Sequence, residues 1–241
     1  MTSKVTTLLG RTSHPSPVKV GGAKGAQVAD RIREMIIQDE LPPGAPIRER
    51  TLSERLDVSR TPLREAIKIL SAEGLVEVHP NRGAVVAAPS SKDIRELLQL
   101  LGVLEAFAGE LACAHGTDAE MAELRALHFE MLAAYTRGDR LGYFHRNQAI
   151  HLGLVAMSRN SALIAHHRMI NARVYRARYI CNLKTERWES AIKEHEQILE
   201  ALEGRDAGAL QAILRRHVIQ AWDKMQEIMA REAEAGEAAA S

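Results

Sequence analysis

The stretch from Thr51 to Gly83, TLSERLDVSRTPLREAIKILSAEGLVEVHPNRG, constrains this chain more than any other. Its spacing predicts a short helix, a tight turn, a second helix and a two-stranded hairpin. Thr51 and Glu54 have the spacing of a capping box, and Leu52 and Leu56 give the first helix one apolar face. Asp57 to Ser59 supply the turn. The second helix starts near Ser59 to Thr61, accepts Pro62 in its first turn where an N–H has no partner, and stops at Gly74. Leu63, Ala66, Ile67 and Leu70 form a stripe to be buried, while Arg60, Arg64 and Lys68 recur every four residues on another side.

A helix that follows a three- or four-residue turn fits the major groove of DNA with its N-terminal residues nearest the base edges. Arg60, Thr61 and Arg64 stand at that end. Beyond Gly74, Val76 and Val78 alternate as a strand, His79 to Gly83 turn, and Ala84 to Ala87 return, a wing that carries Arg82 toward phosphates or the minor groove. The competing reading is an ordinary helical pair with a solvated basic face. Agreement among the helix start, the turn and the hairpin favours DNA.

These residues carry a resemblance. The run from Gln27 to Ala88 is similar to the winged helix-turn-helix of the GntR family of bacterial transcription regulators, through Pro42, Pro43, Gly44, Glu49, Arg50 and the Val58 to Ala66 segment, and again at Leu70, Glu73, Gly74, Leu75 and Gly83. The resemblance implies that Arg50, Arg60 and Arg64 touch guanines or phosphates of a double-stranded operator. It also implies that Thr61 contacts DNA near the helix start, and that Asn81, Arg82 and Gly83 form the wing tip.

Bulk charge does not announce this partner. The net charge is +1, and residues 26–89 hold nine Lys and Arg against ten Asp and Glu, so the reading rests on where the arginines stand. The 241 residues are 46% apolar and only 4% aromatic, which suits helix packed on helix. No apolar run approaches the 18 residues of a membrane span and no secretory signal opens the chain, so the expected location is cytoplasmic. Cys113 and Cys181 lack metal or redox spacing and read as isolated buried thiols.

Three segments are expected: a disordered basic tail over 1–25, the winged helix-turn-helix over 26–89, and a helical domain over 92–232 that binds effector and dimerises. The fold class is therefore mainly α. Residues 1–25 are rich in Gly, Pro, Ser and Thr and lack acidic groups. A first helix spans 26–39. After the Pro89 to Ser91 linker, helices are predicted over 92–115, 118–137, 139–158, 161–183, 187–203 and 206–232, with an Ala- and Glu-rich end that frays beyond Glu232.

Within these helices three histidines stand where apolar residues belong. His151 shares a stripe with Phe144, Leu154 and Val155, His195 with Trp188, Ile192 and Ile198, and His217 with Leu210 and Ile213. Each alone is more often a core histidine satisfied by hydrogen bonds. Three on inward faces, with Asn147 one turn before His151, suggest a metal centre assembled across a bundle. Imidazole suits zinc, nickel, copper or iron, and three with one oxygen donor leave positions for water or an anionic ligand.

The segment Lys92 to Trp222 resembles the FCD ligand-binding domain of the FadR-type branch of GntR regulators, through Leu104, Glu105, Ala112, Asn160, the Asn147 to His151 spacing, the Glu194 to Asp206 run and His217. The resemblance implies a divalent metal, zinc or nickel, held by Asn147, His151, His195 and His217, with an organic acid effector beside it. Asn147 stands where the family more often has Asp. Leu101 stands where it often has an Arg, which leaves Arg173, Arg176 and Arg178 as candidate effector contacts, the first two chosen.

The expected function is a homodimeric, metabolite-responsive transcription regulator on a palindromic operator, with a carboxylate effector and no membrane partner. One alternative makes the helical domain only a dimerisation module with a structural metal. A metal-dependent helical-bundle enzyme is the other, opposed by the lack of Glu-x-x-His and of any phosphate loop.

Overall fold

The computed structural model describes residues 23–80, 83–181 and 188–240. The N-terminal module runs α1 (Ala23–Ile37), β1 (Pro46–Ile47), α2 (Glu49–Leu56), α3 (Arg60–Ala72), β2 (Val76–His79) and β3 (Gly83–Val86). Its core forms where the apolar stripes meet: Ile32 and Ile36 of α1 and Leu63, Ala66 and Leu70 of α3 are all but sealed from solvent, joined by Leu52, Leu56, Val76 and Val86. Burial of this kind contributes about 1.5–3 kcal/mol for each large side chain. Asp57, in the left-handed region at φ 52°, ends α2, and Gly74 at φ 75° turns the chain out of α3 into the wing.

Three expectations for this module change. The first helix starts at Ala23, inside the segment expected to be disordered, because Gly25 is buried and packs so tightly on Glu65 that a Cβ would lie 2.7 Å from its carboxylate. Residues 1–22 lie outside the described residues. The capping box at Thr51 and Glu54 does not form, since α2 already begins at Glu49, and Arg48 stands at its N-cap without a side-chain cap. The boxes that do form are Ser90 with Asp93 and Thr117 with Glu120. The wing also gains a strand: β1 pairs antiparallel with β3, Pro46 opposite Val85 and Ile47 opposite Ala84, in the order β1-β3-β2. Pro46 is tolerated because β1 is an edge.

The helical part comprises α4 (Ser91–His115), α5 (Asp118–Arg137), α6 (Arg140–Met157), α7 (Ser161–Cys181), α8 (Trp188–Glu203) and α9 (Ala207–Ala240). Five of the six starts and ends fall within two residues of expectation. α9 instead continues past Glu232 to Ala240, as strong helix formers allow, and residues 182–187 lie outside the described ones.

The hub is α4, which packs along α9 and against α6 and α7. Its approach to α9 is close enough that a Cβ on Gly102 would lie 2.6 Å from the Arg215 carbonyl oxygen. α4 is long and apolar enough to cross a membrane by length and composition only, and Gln99, Glu105 and Glu110 interrupt its apolar run. Here its apolar surface serves a protein core: Leu98, Leu101, Ala108 and Ala112 are buried, and so is the charged Glu105. Cys113 and Cys181 are both buried.

Candidate nucleic-acid interface and metal centre

α3 buries Leu63, Ala66, Ile67 and Leu70 and leaves Arg60, Thr61 and Arg64 exposed along the opposite side of its N-terminal half. Arg50 is exposed on α2, beside Glu54 at 3.4 Å, and Arg64 donates Nε–H to Glu49 at 2.9 Å. Exposed pairs of this kind contribute about 0–1 kcal/mol, so both guanidiniums can be given up to a stronger acceptor such as phosphate. Gly83 is exposed at φ 81° where the wing turns into β3. Asn81 and Arg82, the other two wing-tip candidates, lie outside the described residues.

In the helical domain the four candidate ligands converge. His151 of α6, His195 of α8 and His217 of α9 are buried, with ring centroids 5.0–5.2 Å apart and one ligand atom of each within 4.8 Å of the others. The Asn147 amide, one turn before His151, stands 2.9 Å from His195 Nε2. Carboxylates orient two of the rings: His151 Nδ1 lies 2.8 Å from Glu105 and His217 Nδ1 lies 2.6 Å from Glu194. A carboxylate on Nδ1 fixes that nitrogen as the N–H and leaves Nε2 as a lone-pair donor, which is how outer carboxylates prepare metal-binding histidines. His151 Nε2 is buried without a hydrogen-bond partner.

Burial keeps His151 and His195 neutral. Burial pushes the His151 imidazole down to about 4, although Glu105 beside it works the other way. Burial again, with His217 and His151 close by, holds His195 well below its ordinary range. Glu105 is held well below the usual carboxylate range, because His151 and Arg178 outweigh the burial that would raise it. Three imidazoles, two of them kept neutral by burial, an orphaned acceptor and two oriented carboxylates fit a divalent cation, and Asn147 adds an amide where a carboxylate would bring charge.

Several residues here were not found from sequence. Glu105, quoted only as part of a resemblance, also accepts from His167 Nε2 and from Arg178 Nη1, each at 3.2 Å. His167 is fully buried. Arg178 donates to Asn171 Oδ1 at 2.8 Å as well, and lines a cavity of about 20 Å³ with Asn147 and His217. That is room for one water-sized occupant. The signal was present: His167, Asn171, Val174 and Arg178 follow one helical stride and are all buried. His128 is likewise buried, 2.9 Å from Glu196, and burial lowers its pKa.

Arg173 and Arg176, the arginines chosen from sequence, do not reach this centre. They line a separate cavity against the N-terminal module, where Arg176 donates to Asp39 at 2.7 Å. Offsets of two and five residues from Arg178 put them on another face of α7.

A winged helix-turn-helix joined to a helical domain with a buried histidine cluster defines a DNA-binding regulator with a ligand-binding domain. Comparison with known proteins gives the family. Residues 24–86 match the family of bacterial regulatory proteins called gntR, and residues 96–220 match the FCD domain. The Nta operon transcriptional regulator of Aminobacter aminovorans is 32% identical over 200 residues, 81% of this chain and 91% of the relative. A relative from Paenarthrobacter nicotinovorans, described as "Probable D-xylose utilization operon transcriptional repressor", is 30% identical over 80% of this chain and 84% of its own length. The structure of McbR/YncC from E. coli shares the fold, with a TM-score of 0.76 at 21% identity over 86% of this chain and 99% of that one. This chain belongs to the GntR family and carries an FCD domain; it is a DNA-binding transcription regulator and not an enzyme.

Proposed function

We propose that this regulator responds to a small organic acid bound at or beside a divalent cation, zinc or nickel, in its helical domain. The observation that carries the reading is the convergence of Asn147, His151, His195 and His217, all four buried, around one small volume. Buried polar groups persist where something satisfies them, and His151 Nε2 has no hydrogen-bond partner among the described residues. A bound dication would supply open coordination positions for a carboxylate. Asn147 and the histidines hold the ion, Glu105 and Glu194 orient His151 and His217, and Arg178 offers the positive charge that Leu101 does not.

The division of labour follows the two modules, residues 26–89 on DNA and 92–232 for effector and dimerisation. The chain acts in the cytoplasm as a homodimer on a palindromic operator, whose half-sites are read by Arg50, Arg60, Thr61 and Arg64 with the wing tip at Asn81, Arg82 and Gly83. Effector binding shifts operator affinity only as far as it prefers one arrangement of the paired DNA-binding modules. Relatives described as regulators of operons support this reading.

A thermal-shift screen against organic acids, sugar acids and amino acids, with zinc or nickel and again with chelator, tests it. A native-state ligand at a hundredfold excess over its dissociation constant adds about 2.7 kcal/mol. An acid that stabilises only with metal, and not in His195→Ala, is the expected result. The 20 Å³ cavity favours one alternative, an ion that is purely structural in a dimerisation module. Stabilisation by metal with no response to any acid would select it.

A further inference from the structure

The cavity beside the histidines is small, about 20 Å³, and a larger one lies apart from it. Between the two modules is a cavity of about 270 Å³, walled by Ile36 and Leu75 from the DNA-binding side and by Ile94, Ala177 and Trp222 from α4, α7 and α9. That volume approaches the lower end of small-molecule pockets. Its walls are apolar, and two cations, Arg173 and Arg176, enter it from α7. Arg176 uses Nη2 on Asp39, at 2.7 Å, while its Nε is buried with no hydrogen-bond partner. Arg173 lays its methylenes on Gly74, so close that a Cβ there would meet Arg173 Cγ at 2.8 Å, and its charge acts on the carboxylate of Asp93.

Two guanidiniums lining a largely apolar cavity suit an anion with an apolar body. A carboxylate is the matching group, since a guanidinium presents its N–H donors in a planar fork that a carboxylate meets with two oxygens. We propose that this cleft is a second ligand site, distinct from the histidine centre. It would bind a flat monocarboxylate, with the charged end on Arg176 and Arg173 and the body between Ile94 and Trp222. The walls come from both modules, so occupancy stabilises this arrangement of the DNA-binding module on the helical domain and is thereby linked to operator binding.

The test is a calorimetric titration of the full-length, chelator-treated protein with 2-naphthoate, a rigid apolar body with one carboxylate. Saturable binding at one site per chain is expected, weakened about tenfold or more by Arg176→Gln and by the neutral analogue 2-naphthamide, and unchanged in His195→Ala. Arg173→Gln, at an exposed position, gives the same reading should Arg176→Gln fail to fold. No saturable binding, or equal affinity in the arginine variants, overturns the proposal. Loss of binding in His195→Ala also overturns it, by assigning the ligand to the histidine centre and leaving the function proposed above intact.

Discussion

Glu105 is the residue on which the helical domain's polar interior depends. One buried carboxylate meets His151, His167 and Arg178, so removing its charge leaves Arg178, itself only 7% exposed, with no carboxylate partner among the described residues. Breaking a buried pair on one side costs about 3–5 kcal/mol. Glu105→Gln should therefore lower the urea midpoint severely, and a midpoint near wild type would show that the network relaxes around the amide. The pH dependence has a definite sign. His151, held at about 4, and His195, held well below its ordinary range, titrate near 6.5 in the unfolded chain. Below pH 6.5 the unfolded chain takes up protons that the folded one refuses, so stability is full above 6.5 and falls as the pH drops toward 4. Glu105, with its folded pKa depressed, adds a loss in the same direction. Metal-free protein should have a lower urea midpoint at pH 5 than at pH 7.5; an equal midpoint would mean that the imidazoles are charged in the fold. The histidines were legible in the sequence because each interrupts an apolar stripe. Glu105 was equally legible as the one charge between Glu96 and Glu110, but periodicity does not say which partners would make its burial tolerable. Arg178 was passed over for its neighbours because a choice among three arginines on one helix depends on the face that α4 covers.

At the scale of elements, helices were readable and short strands were not. A 20-residue helix repeats its apolar period several times, whereas β1 spans two residues and has no period to detect; it exists because β3 offers a free edge. Thr51 shows a local motif yielding to context, since the turn out of β1 starts α2 before the motif can act as its cap. Two predictions belong here. Gly102→Ala puts a methyl 2.6 Å from a backbone carbonyl of α9 that no rotamer change can move. Overpacking of this kind costs about 1–3 kcal/mol, and thermal unfolding should show a lower Tm; an unchanged Tm would mean that α4 and α9 slide apart freely. On α3, Arg60→Ala should lose about 1–3 kcal/mol on the preferred operator and relax discrimination at one base pair, measured across operator variants at matched salt. A uniform loss on every sequence would make Arg60 a phosphate contact.

The whole molecule is proposed to work as a pair. On the outer side of α4, Leu100, Val103 and Phe107 form an i, i+3, i+7 row exposed at 48%, 43% and 43%, an apolar face on the helix that otherwise forms the hub of the domain. Light scattering should give about twice the 26.6 kDa chain mass, and Phe107→Asp should shift it toward the monomer. A wild-type monomer at micromolar concentration would remove the palindromic operator from the proposal. The measurement closest to the centre of the proposal is a calorimetric titration of chelator-stripped protein with zinc at pH 7.5. One ion per chain in the wild type, and at least about a tenfold loss of affinity in both His195→Ala and His217→Ala, is the predicted result. Zinc binding of equal strength in those two variants, or none in the wild type, would contradict a metal centre at Asn147, His151, His195 and His217.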